Sequence, residues 1–237
     1  MRFYLSSPDN RIQWEAVRGC PVLLSFALVG RKKWRDVDRY QAVASRVLID
    51  SGAYSEMNTG KPIDLAAYAE WAERWRGRAD AVAGLDDIRG DWRRTLRNCE
   101  AMPAGLGFPT IHDTDPPELL ADLIPIARER GGWLGCGLAP PRQGKGRFVR
   151  WVSENVPADI HLHGWALGLY AGVPGFASID STNWLRDLAK LQTCPLTAHL
   201  TDGEMLAVIV KRYKRMARRC DHTESTGPDL FAGVAGD

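Results

Sequence analysis

The chain has 237 residues, 45% hydrophobic and 25% charged, with a net charge of +2. This balance excludes a low-complexity or strongly polyelectrolyte chain, and the length suits one α/β barrel. No run approaches the roughly 18 apolar residues of a membrane span, Met1–Leu5 lacks a signal-peptide layout, and five scattered cysteines (Cys20, Cys99, Cys136, Cys194, Cys220) suit a reduced, cytoplasmic setting.

In chain order, eight apolar runs read as strands: Arg2–Leu5, Pro21–Ala27, Arg46–Asp50, Ala81–Leu85, Gly107–Ile111, Gly132–Leu138, Asp159–His163 and Phe176–Asp180. Most are near-continuous rather than alternating, as parallel strands covered by helices require. A short helix is predicted around Ile12–Val17. Asp64 starts another, with Leu65, Tyr68, Trp71, Ala72 and Trp75 on one face and Gly77 as its stop. Asp115-Pro116-Pro117-Glu118 reads as a capping box, with Asp at the N-cap, Pro at N1 and Glu at N3. The helix it opens carries Leu119, Leu120, Leu123, Ile124 and Ala127, with an expected kink at Pro125. Phe148, Trp151 and Val152 mark a further short helix.

Strand and helix alternating eight times predict a (βα)8 TIM barrel with some short or irregular helices; a doubly wound open sheet is the alternative. One catalytic domain is expected over 1–220, including a basic C-terminal helix. Residues 221–237 turn to Asp, Thr, Ser, Gly and Pro and read as a disordered tail.

In such a barrel the C-terminal strand ends form one rim and carry the site. Two of them stop at Asp-Ser: Val47-Leu48-Ile49-Asp50-Ser51-Gly52 and Ala177-Ser178-Ile179-Asp180-Ser181. A carboxylate beside apolar residues is costly unless paired or used. The other ends add Asp86, His112, the glycines around Cys136, and His163-Gly164-Trp165. Each has a plainer reading. Asp180-Ser181-Thr182-Asn183 could cap a helix, Asp87 is better as a cap than as a ligand, and His161 reads as a core or helix-facing histidine. Cys136 reads as a buried filler and Trp71 and Trp75 as core. Caps alone give no reason for Asp50, Asp86, His112 and Asp180 to share one rim.

Basic residues cluster at Arg31–Arg35 and along Lys211, Arg212, Lys214, Arg215, Arg218 and Arg219. They read either as solvated faces or as a phosphate-backbone footprint. Pro140–Arg147 places glycines with Arg142, Lys145 and Arg147 before a helix, which suits a phosphate or a plain flexible loop.

These strand ends resemble a known family. Asp50-Ser51-Gly52-Ala53-Tyr54 is similar to the Asp-Ser-Gly-Gly-Phe/Tyr motif of tRNA-guanine transglycosylases, and more so to their phage relatives that insert 7-deazaguanines into DNA. Phe3-Tyr4-Leu5 and the basic stretch after Ser25-Phe26, Gly135-Cys136-Gly137-Leu138 with Arg142-Gln143, Leu162-His163-Gly164-Trp165, and Ala177–Trp184 follow in the same order. The resemblance implies a DNA guanine transglycosylase, a pentosyltransferase that exchanges guanine for a base such as 7-cyano-7-deazaguanine through a covalent Asp-glycosyl intermediate. Asp180 would be the nucleophile and Asp50 the general acid/base. Asp86 would read the base edge, Gly137 and Leu138 would offer backbone groups, and His112 stands where the tRNA enzymes carry Gln. Ser51, Gly52, Tyr54, His163, Gly164 and Trp165 would complete the base pocket, with Tyr54 as the stacking candidate. Arg142, Lys145, Lys211, Arg215 and Arg218 would hold DNA phosphates. The expected partners are DNA, double-stranded or locally opened, and the free deazaguanine base, with a homodimer or an accessory phage protein as a further candidate.

The chain departs from the family at Ala53, which replaces a Gly, and no RNA-binding domain is appended, which favours DNA. Cys194, His199, Cys220 and His222 lack the spacing of the tRNA enzymes' zinc site, so no metal or other cofactor is expected. The chemistry also stands without the resemblance: a carboxylate can form a glycosyl ester and a second can manage protons. A nucleosidase or glycoside hydrolase using the same carboxylates, and a non-catalytic DNA-binding barrel, are the alternatives.

Overall fold

The computed structural model describes residues 1–8, 10–30, 37–141, 144–168 and 173–222. Arg31–Arg35, Arg142, Gln143 and the tail from Thr223 lie outside the described residues. Eight parallel strands alternate with helices: β1 Arg2–Ser6, α1 Arg11–Ala16, β2 Pro21–Ser25, α2 Val37–Val43, β3 Arg46–Asp50, α3 Ala53–Thr59, α4 Leu65–Glu73, β4 Ala81–Val82, α5 Trp92–Ala101, β5 Thr110–His112, α6 Leu119–Glu129, β6 Trp133–Gly137, α7 Gly146–Asn155, β7 His161–Gly164, β8 Ser178–Ser181, α8 Asn183–Gln192 and α9 Asp202–His222. The sheet runs β4-β3-β2-β1-β8-β7-β6-β5. Its two edges meet where Ala83 pairs with Phe108, Gly84 N–H donating to the Phe108 carbonyl at 2.8 Å, so the sheet closes into a (βα)8 barrel.

Alternation along each strand sorts the side chains. Tyr4, Leu23, Leu48, Ala83, Phe108 and Trp133 point inward and fill the barrel. Phe3, Leu5, Val22, Leu24, Val47, Ile49, Ile111, Leu134, Leu162 and Ile179 point outward and pack under the helices. Each large side chain so buried contributes roughly 1.5–3 kcal/mol. Trp71 and Trp75 are buried in the outer core, as is Cys136. Among the described residues no helix is long and apolar enough to cross a membrane.

Three local expectations change. The second strand stops at Ser25, and Phe26–Gly30 winds into a wide π-helical turn whose Phe26 ring packs on Tyr68 and Trp71 at 5.3 and 5.5 Å. The capping box does not form: α6 begins at Leu119, and Asp115 instead turns back to accept the His112 N–H at 2.8 Å. Tying down the end of β5 satisfies a buried donor, which a solvent-facing cap would leave open. Helix α6 runs through Pro125. His161 is neither core nor helix-facing; it is exposed at the start of β7, its ring 5.3 Å from Trp133. Asp64 caps α4 as expected, accepting the Ala67 N–H.

Candidate active site

At the rim the same alternation turns polar. Continuing the inward rows from Tyr4, Leu23, Leu48 and Ser178 leads to Ser6, Ser25, Asp50 and Asp180. The pairing register sets Ser25 beside Asp50 and Tyr4 beside Asp180. The β4–α5 loop adds Asp86, and β5, β6 and the loop after β7 add His112, Gly137 and Trp165. Together they line one cavity of about 210 Å³.

Asp180 is 6% exposed and both its oxygens are held. Oδ2 accepts the Ser6 hydroxyl at 2.7 Å, and Oδ1 accepts the Ala166 N–H at 2.7 Å. It is not a helix cap: Ser181 Oγ takes the Asn183 N–H instead. Ser7 and Ala166, which flank these contacts, have φ of 58° and 53°. Non-glycine residues rarely adopt that region, and two of them lining one cavity mark stored strain at a site.

Asp50 is half-buried and is pushed up to about 7, first by burial and further by the Asp86 and Asp180 charges; the Ser25 hydroxyl and Gly52 N–H pull the other way. Among the described residues Ser25 Oγ has no partner in full hydrogen-bond geometry. Among the described residues no Lys or Arg is paired with Asp50 or Asp180. Gly52 has φ of 91°, and a Cβ there would lie 2.4 Å from that of Ala27, so this turn requires glycine.

His112 Nε2 lies 2.6 Å from Asp86 Oδ2. Burial pushes its imidazole down, but the Asp86 hydrogen bond and the charges of Asp86, Asp115 and Asp113 outweigh this and raise it overall. His112 is thereby favoured as the cation that balances Asp86. Its ring lies against Gly137, where a Cβ would come within 2.3 Å of it. Trp165 is fixed as a floor: its indole N–H donates to Thr110 Oγ1 at 3.0 Å and its ring stacks on Phe108 at 5.9 Å. Tyr54, 45% exposed, stands at the mouth.

The cavity thus brings together Asp50, Gly52, Tyr54, Asp86, His112, Gly137, Leu138, Trp165 and Asp180. Other expected residues stand elsewhere. Ser51 is fully buried and accepts the Ala53 N–H, capping α3. Gly164 faces Leu167 and Ile179, where a side chain would collide. His163 lies behind Asp180 rather than on the cavity wall. Asp87 is a cap, as expected, though of the turn before α5, accepting the Arg89 N–H and pairing with Arg94 while Asp91 caps the helix itself.

The basic residues are also redistributed. Lys145 is turned inward, paired with Asp113 and donating to the Ala139 carbonyl at 2.6 Å. Helix α9 packs Tyr213 on Phe3 at 5.1 Å, and Tyr213 and Lys214 lie beside Arg2, Gly19 and Pro21, the starts of β1 and β2. The turn carrying Lys211 and Arg215 is therefore at the base of the barrel, opposite the rim. The apolar stripe of Met205, Leu206, Ile209, Val210 and Tyr213 puts it there. The side chain of Arg218, like those of Cys220 and His222, lies outside the described residues. Among the described residues no group of three or more His, Cys, Asp or Glu side chains is placed to hold a metal.

Ser6, Ser25 and Ala166 were not among the expected site residues. Ser6 and Ser25 carried a signal, since each is a polar residue ending an apolar strand, as Asp50 and Asp180 do. Ala166 carried none, because it acts through its backbone N–H.

No family model matches the sequence, and no curated protein matches it. Among solved structures the chain is similar to the YdjI aldolase of Escherichia coli K12, with a TM-score of 0.54 at 12% identity over 93% of this chain and 90% of that one. At that identity the likeness shows a shared barrel fold.

Proposed function

We propose that this protein is an enzyme that exchanges guanine in DNA for a 7-deazaguanine base through a glycosyl ester on Asp180. One observation carries the reading: Asp50 and Asp180 line a single cavity in different surroundings. Asp180 has both oxygens held by hydrogen bonds, which orients its carboxylate as the nucleophile. Asp50, pushed up to about 7, is poised to hold a proton at neutral pH. That division of labour between two carboxylates is what retaining glycosyl transfer needs.

Asp180 attacks C1′ as the N9–C1′ bond breaks, and Asp50 gives its proton to the departing guanine. The entering base then returns a proton to Asp50, and its N9 displaces Asp180 from C1′. Asp86, held on one side by His112, offers its other oxygen to the N–H donors of a base edge. A cavity of about 210 Å³ has the room of roughly seven waters, suited to one flat heterocycle. The target base would have to leave the duplex to enter it. A Schiff-base aldolase needs a lysine on the cavity wall, and the described wall carries none.

The test is release of labelled guanine from DNA with and without 7-cyano-7-deazaguanine, with mass spectrometry of the product nucleosides. Base-dependent release that is lost in Asp180→Asn is expected. Release without added base, leaving abasic sites, would make the protein a nucleosidase. Full exchange by Asp180→Asn would overturn the mechanism.

A further inference from the structure

Behind Asp180 stands a histidine that the exchange reaction as written does not use. His163 is 0% exposed, enclosed by the rings of Tyr4 at 6.0 Å and Trp165 at 4.4 Å. Its Nδ1 lies 2.8 Å from Ser178 Oγ. Among the described residues its Nε2 makes no hydrogen bond, yet it lies 3.5 Å from Asp180 Oδ1. A buried polar atom without a partner in a well-packed interior calls for an explanation. Here the nearest acceptor is the nucleophile itself.

The surroundings select the tautomer. If Nδ1 carried the proton, the Nε2 lone pair would face a carboxylate in a dry interior, which is repulsive. If Ser178 donates to Nδ1, the proton sits on Nε2 and points at Oδ1. The two carboxylate oxygens then differ. Oδ2 has the Ser6 hydroxyl, which can rotate away; Oδ1 has the fixed Ala166 N–H and, just beyond hydrogen-bond geometry, the His163 Nε2–H.

We propose that His163 is a positioning residue that acts through Asp180 Oδ1 and favours the second half of the exchange. This rests on Asp180 being the nucleophile. Attack by Oδ2 makes Oδ1 the carbonyl oxygen of the glycosyl ester, with the Ala166 N–H and His163 Nε2–H converging on it. When N9 of the entering base bonds to C1′, the C1′–Oδ2 bond breaks and its electron pair returns to the carboxylate. Donors already aimed at Oδ1 stabilise that returning charge, as preorganised donors do in an oxyanion hole. His163 neither gains nor loses a proton in this step.

The experiment has two arms. The first is nitrogen NMR of ¹⁵N-histidine-labelled wild-type protein at neutral pH, with the His163 signal assigned by its loss in His163→Gln. A protonated Nε2 with a bare Nδ1 is expected; the opposite tautomer overturns the proposal. The second follows DNA labelled in guanine, scoring guanine release before base is added and persistence of the covalent protein–DNA adduct after 7-cyano-7-deazaguanine is added. In His163→Leu the first release stays within a few fold of wild type, while the adduct decays at least about tenfold more slowly. His163→Gln, whose amide N–H can take the place of Nε2–H, recovers most of that loss. Equal behaviour of the Leu and Gln variants, or equal slowing of both steps, overturns the proposal. If wild-type protein releases no guanine and forms no adduct, the exchange reading itself fails and takes this proposal with it. If wild type turns over and the variants show no defect in adduct decay, only the role of His163 fails.

Discussion

Asp80 at the base of the barrel and Asp50 at its rim are both half-buried aspartates close to a strand end, in opposite surroundings. At the base, Arg46 Nη1 lies 2.8 Å from Asp80 Oδ1 and the Tyr4 hydroxyl donates to Asp80 Oδ2 at 2.5 Å. Burial and then that hydrogen bond push the Tyr4 hydroxyl far up, so it stays a donor. At the rim, Asp50 meets a serine hydroxyl, a backbone N–H and two more carboxylates. A carboxylate matched to a cation is structural, whereas one that is buried, and beside like charges as well, can exchange a proton near neutral pH and do chemistry. The contrast also follows the usual division of such barrels, stability at one end and reaction at the other.

The sharpest way to break this comparison is Asp50→Asn. On the proposed mechanism exchange falls by roughly 10²–10⁴-fold, read from guanine release. In the wild type the rate falls as pH rises through about 7, because the first step needs Asp50 protonated. Stability should move the same way. The folded state holds this proton to about 7 against an ordinary 3.8, so the contribution is full below the ordinary value and is lost as pH rises through about 7. The slope is about 1.4 kcal/mol per pH unit across that window. Asp50→Asn should therefore raise the melting temperature at pH 8 and not at pH 4; an equal shift at both would mean that Asp50 is an ordinary surface carboxylate.

Gly137→Ala tests whether the rim depends on the His112 ring lying against bare backbone. The added methyl would come within 2.3 Å of that ring, so His112 must leave Asp86. Exchange should fall at least about tenfold and stability by about 1–3 kcal/mol. Unchanged kinetics would remove the His112–Asp86 pair from the site.

At the base, Asp80→Asn should lower stability by about 1–3 kcal/mol, since Arg46 loses its partner. The exchange rate per folded molecule should stay the same, and a large kinetic loss would erase the distinction between the two ends. The smallest effect is expected for Arg215→Glu. That turn of α9 lies at the base, farther from the rim than the roughly 8–10 Å over which exposed charges act in physiological salt. DNA affinity and exchange should change by less than about twofold. A marked loss would mean that DNA reaches around to the base.

The sequence by itself determined the succession of eight strands. Near-continuous apolar runs between helical patterns suit covered parallel strands, whereas which side chains face the barrel interior and which the helices follows from the register of the closed sheet. Asp50 and Asp180 were legible as candidate site residues because a carboxylate ending a buried strand needs a purpose, and both line the rim cavity. Asp115, read as a helix cap, was misplaced because a side chain serves whichever unpaired donor is nearest in space, here the His112 N–H. Helix α9 announced its charge but not its address, since the apolar stripe that docks it at the base is legible only once β1 and α8 are in place. The tertiary structure alone decided that Ser6 and Ala166 grip the two oxygens of Asp180, that His163 stands behind it, and that Asp50 shares its cavity with Asp86 and Asp180. Such contacts join residues far apart in the chain, and they exist only because closing the barrel brings the ends of eight separate strands onto one rim.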